Sequence, residues 1–353
     1  MMKDSIDFGT TKVSSLFSKL LMPTLLGMVS SALFVITDGI FVGRGLGSDA
    51  LAAVNIVAPL FLINTGIGLM FGVGASVVAS IHLSHGKPKT ARINVTQAVI
   101  ALSMLVAAFS ALIVWRAPGV ACLLGSSERL LVPAVEYIYG AVPFFVFSAM
   151  LSAGMFYIRL DASPRYAMMC NVVPALLNIV LDYLFIFVFH WGVIGAAVAT
   201  SLGYIAGAGM VLWYMLMMGR TIKLCRVKTH LRSLRMTRRN VGYMCRLGFP
   251  SLLCEAAIAT MMFAGNYVFI AYLGEDGVAA YSIACYVFPI IFMVYNAIAQ
   301  SAQPILSYNY GARLTRRVSS ALRMALFTAL GSGVMFLLIM YFFAPDIVSL
   351  FIP

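Results

Sequence analysis

The sequence predicts an all-α protein that spans a membrane many times, and three observations support this prediction. Of the 353 residues, 62% are apolar and only 10% are charged, whereas soluble domains average about 45–50% apolar and about 25% charged residues. The mean hydropathy is +0.97. Continuous apolar runs that are long enough to cross a hydrocarbon core of roughly 30 Å recur along the chain. These runs lack the alternation of barrel strands.

Nine membrane-spanning helices are predicted, and the connections between them set the orientation. Lys and Arg concentrate in cytoplasmic loops of membrane proteins. With a cytoplasmic N-terminus, all but three of the 24 Lys and Arg residues fall in cytoplasmic segments, so the net charge of +12 reflects topology and not nucleic-acid binding. The exceptions are Arg44, Arg116 and Arg129. The predicted spans are 15–42, 51–80, 94–115, 131–157, 167–189, 193–218, 243–272, 277–308 and 319–343.

The chain contains an internal repeat with an offset of 227 residues. Pro23 and Pro250 are equivalent in KLLMPTLL and RLGFPSLL, and Leu46 and Leu273 begin the related segments LGSDALAA and LGEDGVAA. Because the offset spans six predicted helices, both copies start on the cytoplasmic side, as in the parallel repeats of secondary transporters. We expect a six-helix lobe at 1–218, a basic cytoplasmic linker at 219–242 and about three helices of a second lobe at 243–353. A complete repeat would need three more helices, so we expect a C-terminal truncation.

Three carboxylates lie deep inside predicted spans, where burial of a charge is costly and marks a functional candidate. Asp38 and Asp182 precede the outer ends of their spans by about four and seven residues, and Thr200 follows the start of span six by about seven. Asn178 shares a helix face with Asp182. We expect these four residues to form one site that holds Na⁺ or shares protons, with interhelical polar contact as the alternative. The third carboxylate is Glu255, whereas Glu136 lies near an outer helix end.

Other residues are candidates for conformational change or for lining a cavity. Pro23 and Pro250 are the preferred hinges, because each removes a backbone hydrogen bond and the repeat makes them equivalent. Polar residues of spans four and eight are candidates to line a polar cavity, with interhelical contacts as the equal alternative for those of span eight. These are Tyr139, Tyr295, Asn296, Gln300 and Gln303.

Several function classes are not supported by the sequence. The six cysteines form no CxxC pair, and His82 and His85 lack a third metal ligand. A phosphate-binding GxxxxGK[ST] loop is absent from the sequence, and no catalytic triad assembles at one membrane depth. We therefore expect neither an enzyme nor a cofactor, apart from a coupling Na⁺.

Five segments together resemble the multidrug and toxic compound extrusion family of transporters, and the resemblance covers almost the whole chain. Each segment alone would be weakly specific. They are residues 36–43 (ITDGIFVG), 159–168 (RLDASPRYAM), 177–182 (LNIVLD), 195–200 (GAAVAT) and 303–312 (QPILSYNYGA).

The resemblance implies twelve helices in two lobes that open alternately to either side. It also implies export of amphipathic organic cations in exchange for Na⁺ or H⁺. By motif position, the cation site of the family's first lobe falls on Asp38, Asn178, Asp182 and Thr200, and an acidic coupling position falls on Glu255. The usual acidic partner of Glu255, on helix ten, would lie beyond Pro353.

Two alternatives to cation export remain. One is a lipid-linked oligosaccharide flippase of the same superfamily, and the other is a truncated remnant that does not transport. A flippase is expected to place basic residues in its cavity, and no Lys or Arg lies well inside a predicted span, which favours cationic or neutral substrates. We expect a monomer in the bacterial cytoplasmic membrane, surrounded by lipid.

Overall fold

The protein consists of helices joined by short turns, as the sequence predicts. The computed structural model describes residues 6–226 and 231–349, and the side chains of 6–226, 235–261, 268 and 291–343. The helices are α1 (Val13–Leu46), α2 (Ser48–Ser84), α3 (Pro88–Trp115), α4 (Ala117–Leu123), α5 (Glu128–Ala141), α6 (Phe145–Leu160), α7 (Pro164–Asp182), α8 (Gly192–Trp213), α9 (Leu231–Gly311) and α10 (Thr315–Ser349).

Local sequence explains where several helices start, stop or change their winding. α3 and α7 begin at prolines, whose missing N–H has no helical partner at that position. A 3₁₀ turn over Val142–Phe144 contains Pro143 and joins α5 to α6. Gly47 turns the chain from α1 into α2 with φ of 90°, a left-handed conformation that favours glycine.

The helical fold confirms the predicted class. Within the described residues, seven helical segments are long and apolar enough to cross a membrane. They agree with seven of the nine predicted spans, with α5, the 3₁₀ turn and α6 acting as one span and π-helical turns extending α7 and α8. The protein is therefore a multi-pass membrane protein.

The remaining two predicted spans, 243–272 and 277–308, both fall within α9, which extends from Leu231 to Gly311. α9 does not run straight, however. Glu255 and Asn296 line the same cavity, although a straight helix would place residues this far apart in sequence about 60 Å from each other. The chain therefore reverses direction between these two residues.

The main hydrophobic core lies in the first lobe, between α2, α3, α5, α6 and α8, and it includes Phe71, Phe145 and Tyr157. A second, smaller core joins the N-terminal half of α1 to the C-terminal part of α9 and includes Leu16, Leu20 and Ile305. α1 therefore packs on both halves of the chain.

α2 and α9 make backbone contact at one end of α2. A Cβ atom added at Gly74 would lie 2.7 Å from the carbonyl carbon of Met244, and one at Gly248 would lie 2.7 Å from that of Met70. Gly311 packs in the same way against Ile81. These contacts close the two halves against each other at the end of α2 that is predicted to be cytoplasmic.

Candidate functional site: a buried acceptor cluster and the cavity beside it

Three helices of the first lobe bring together the polar residues that the sequence predicts at one depth. Asp38 lies in the last third of α1, Asp182 is the final residue of α7 before its π-helical turn, and Thr200 belongs to α8. Asp182 is 0% exposed, and Asn178 and Thr200 are buried beside it. The carboxyl groups of Asp38 and Asp182 are close enough to interact electrostatically.

The cluster is rich in hydrogen-bond acceptors that lack donors. Within the described part of the chain, both carboxyl oxygens of Asp182, Oδ1 of Asp38 and Oδ1 of Asn178 are buried without a hydrogen-bond partner. The amide nitrogen of Asn178 donates to the hydroxyl of Thr200 at 3.5 Å. A buried polar atom without a partner is costly, and two adjacent carboxylates repel each other. The arrangement therefore favours a bound cation or proton.

Two tyrosines that the sequence analysis did not single out lie beside this cluster. Tyr137 of α5 is buried and interacts with Thr200 and Asp38, and Tyr204 of α8 interacts with Asp38. Tyr204 follows Thr200 by four residues, so its place on the same face of α8 is readable from the sequence. The position of Tyr137 depends on how α5 packs against α8.

A cavity of about 580 Å³ opens between the two halves of the chain, with Asp38, Asn178 and Thr200 on its wall. Its remaining walls come mostly from apolar residues of α1, α2, α6 and α9. Three further predicted site residues, Glu255, Asn296 and Gln300, also line this cavity.

Three other predicted lining residues point elsewhere. Tyr139 is 50% exposed and lies outside the cavity lining, because it is two helical positions from Tyr137 and faces nearly the opposite way. The hydroxyl of Tyr295 lies against Gly333 of α10. The amide nitrogen of Gln303 donates to the hydroxyl of Ser307, one helical turn away, at 3.4 Å.

Although no Lys or Arg lies well inside a predicted span, Arg159 reaches the cavity. This side chain is 2% exposed and lines the cavity. Its guanidinium donates to Oε1 of Gln300 at 2.7 Å and lies 5.6 Å from the ring centroid of Phe156. Arg159 is the penultimate residue of α6, and its side chain turns into the protein and not toward the cytoplasmic water that the sequence suggests.

Pro23 lies inside the uninterrupted helix α1, and Pro250 lies inside α9. Both are therefore in helix interiors, where proline removes a backbone hydrogen bond. Their role as hinges stays a prediction.

The MatE family model matches residues 23–184 and 250–353. The chain belongs to the MatE family. The two matched ranges begin at Pro23 and Pro250, the equivalent prolines of the predicted repeat.

Curated relatives of this MatE chain are similar at low identity. An FAD transporter of Shewanella oneidensis is 24% identical, in an alignment that covers 99% of this chain and 77% of the relative. The multidrug export protein MepA of Staphylococcus aureus is 23% identical over 84% of this chain and 64% of its own length. The MatE chain thus spans less than two thirds of MepA.

Solved structures show the same fold. A multidrug resistance MATE family transporter of the MOP superfamily, in an outward-facing conformation, has a TM-score of 0.88 and 23% identity. That alignment covers 99% of this chain and 77% of the other. A MOP superfamily transporter from Pyrococcus furiosus, described as having a binding pocket of reversed polarity, has a TM-score of 0.83 and 23% identity, with coverage of 97% and 74%.

Proposed function

We propose that this MatE chain acts in secondary active export, in which inward movement of Na⁺ or H⁺ drives amphipathic small molecules out of a bacterial cell. The single observation that carries the proposal is the buried cluster of donor-free oxygens on Asp38, Asn178 and Asp182. Such a cluster is stabilised by a cation or a proton, and it lies on the wall of a cavity of a size that suits a drug-like ligand.

The chemistry of the cluster supports ion coupling. Carboxylate, amide and hydroxyl oxygens are hard ligands of the kind that bind alkali and alkaline-earth cations in proteins. When the ion leaves, the two carboxylates need a proton between them, because two adjacent negative charges repel in a buried site. Ion occupancy then changes the relative free energies of two conformations, provided that the ion binds them with different affinities.

The inter-lobe contacts support alternating access. The close approach of Gly74 to Met244 and of Gly248 to Met70 closes the end of the cavity that is predicted to be cytoplasmic. In the proposed cycle these contacts separate when the cavity opens inward. Bending of α1 near Pro23 would connect that movement to Asp38, which lies on the same helix.

The sequence predicts that the substrates are organic cations, but the cavity also suits other amphipathic molecules. The sequence favours organic cations because no Lys or Arg lies well inside a predicted span, and the presence of Arg159 on the cavity wall removes that reason. The relatives that carry the names FAD transporter and multidrug export protein MepA leave both anionic and other amphipathic substrates open. The lipid-linked flippase remains the second candidate, and Arg159 is the observation that favours it.

Transport in proteoliposomes tests the proposal. The purified chain would be reconstituted with an imposed Na⁺ or pH gradient, with ethidium and FMN as probes. We expect gradient-driven movement of at least one probe, its loss in Asp182→Asn and its retention in Glu136→Gln, which changes a carboxylate outside the cluster. Gradient-driven transport at the wild-type rate in Asp182→Asn would contradict the proposal.

A further inference from the structure

Arg159 is a buried cation on the cavity wall that the ion-coupling mechanism does not use. Its side chain is 2% exposed, and it reaches the cavity from the inner end of α6. An arginine stays charged at any physiological pH, so its burial requires partners. Its charge therefore indicates which ligands suit the cavity.

The partners of Arg159 among the described side chains carry no charge. One guanidinium nitrogen donates to the neutral amide of Gln300, and the ring of Phe156 lies on one side. Among the residues whose side chains the structure describes, no carboxylate lies within ion-pair distance of Arg159. A guanidinium has five N–H donors arranged to bind a carboxylate or phosphate through two hydrogen bonds.

The carboxylates of the cavity lie at other depths. Gly68 and Gly72 of α2 pack against Ala149 and Ala153 of α6, so these parallel helices are in register and Arg159 is level with residue 78. The Cβ atom of Glu255 lies near Gly66, which is twelve positions, or about 18 Å, further outward along α2. Asp38 lies further out still, near the outer end of α1. The floor of the cavity is therefore positively charged.

We propose that the cavity binds an amphipathic molecule whose anionic group, a phosphate or a carboxylate, pairs with Arg159. The apolar walls contact the hydrophobic part of the ligand, and the guanidinium binds the anionic group. Gln300, from the second half of the chain, holds the guanidinium in place by accepting one of its hydrogen bonds. This inference rests on the proposed function, since it narrows the substrate class of the same cavity. It also makes the site depend on both halves, because Arg159 belongs to α6 and Gln300 to α9.

Equilibrium binding to the full chain in lipid nanodiscs tests this inference without requiring transport. FMN and riboflavin share a ring system and differ in a phosphate, and fluorescein and rhodamine 123 share a ring system and differ in charge. Dissociation constants would be measured by fluorescence anisotropy for wild type, Arg159→Gln, Arg159→Lys and the control Arg116→Gln. Arg116 is exposed at the end of α3, away from the cavity.

We expect at least one anionic probe to bind about tenfold or more tightly than its matched partner, a ratio typical of a charge-assisted hydrogen bond. Arg159→Gln should remove that preference while leaving riboflavin or rhodamine 123 unaffected, Arg159→Lys should retain part of it, and Arg116→Gln should retain all of it. If Arg159→Gln removes the preference for FMN over riboflavin, the site binds phosphate. If it removes only the preference for fluorescein over rhodamine 123, the site binds carboxylate.

Three results would overturn the inference. An anionic preference that persists in Arg159→Gln, or the absence of any such preference in wild type, refutes the role of Arg159 and leaves the proposed transport intact. If none of the four probes binds to wild type, the cavity is not a ligand-binding site, and both proposals are refuted. Unchanged thermal unfolding of Arg159→Gln would show that the variant is folded.

Discussion

Substitution of Gly74 by alanine should bias the protein against the conformation in which α2 and α9 are in backbone contact. The new Cβ atom would lie 2.7 Å from the carbonyl carbon of Met244, whereas ordinary van der Waals contacts are 3.4–4 Å. The obstacle is backbone, so it cannot rotate away as a flexible side chain would. α2 and α9 must therefore separate by roughly 0.7 Å or more at this point.

The magnitude follows from the cost of overpacking, which is typically about 1–3 kcal/mol for one added methylene in a close-packed site. Alanine is the better helix former by about 1 kcal/mol, but that gain applies equally to every conformation in which α2 stays helical. The net effect is a shift of roughly 5- to 150-fold in the ratio of the closed state to any state in which the two helices are apart. Gly209→Ala is the matched control, because a Cβ atom there meets nothing within 4 Å.

Spin-label distances measured between Lys87→Cys and Arg316→Cys, in a background without native cysteines, report this separation. Both positions are exposed at the end of the molecule that is predicted to be cytoplasmic. Gly74→Ala should raise the population of long distances, and Gly209→Ala should leave the distribution as in wild type. An unchanged distribution in Gly74→Ala would refute the assignment of this contact as the closed inner end of the cavity.

Three further predictions concern single side chains. Asp161 accepts hydrogen bonds from the backbone N–H groups of Arg220, Thr221 and Ile222, so Asp161→Ala should destabilise the protein by roughly 3–5 kcal/mol, with a lower thermal midpoint in detergent; an unchanged midpoint would contradict this. Arg317 donates to the carbonyl oxygens of Phe8 and Thr11, so Arg317→Ala should speed proteolytic cleavage before α1, whereas cleavage at the wild-type rate would show that other contacts hold this segment. In an equilibrium ²²Na⁺-binding and proton-uptake assay, Tyr137→Phe should weaken ion binding less than Asp182→Asn, because Tyr137 borders the cluster and contributes no carboxylate. An equal loss of ion binding would make Tyr137 a ligand.

Much of the fold follows from the sequence because the bilayer restricts the solutions. Apolar runs of fixed length define seven of the helical segments to within about six residues, and residues such as Pro88 and Gly47 mark where helices begin or turn. The depth comparison that grouped Asp38 with Asp182 works for the same reason, since rise per residue is constant in a helix.

The orientations of individual side chains depend on packing between distant segments, which cannot be read from the local sequence. Helix rotation decides that Tyr137 faces the cluster while Tyr139 is exposed, and that Tyr295 faces α10. Arg159 has the sequence signature of a cytoplasmic loop residue, yet its long side chain reaches a partner on α9. Contacts between distant segments fix these orientations, and hydropathy carries no signal for them.

Direct ion binding to the purified chain tests the central claim, that Asp38 and Asp182 form the site of the coupling ion. Binding of ²²Na⁺ and uptake of protons would be measured at equilibrium in the same preparation, for wild type, Asp38→Asn, Asp182→Asn and Glu136→Gln. We expect wild type and Glu136→Gln to bind Na⁺ or take up a proton at a saturable site, and both aspartate variants to lose this binding while remaining folded. Saturable binding at wild-type affinity in both Asp38→Asn and Asp182→Asn would contradict the claim.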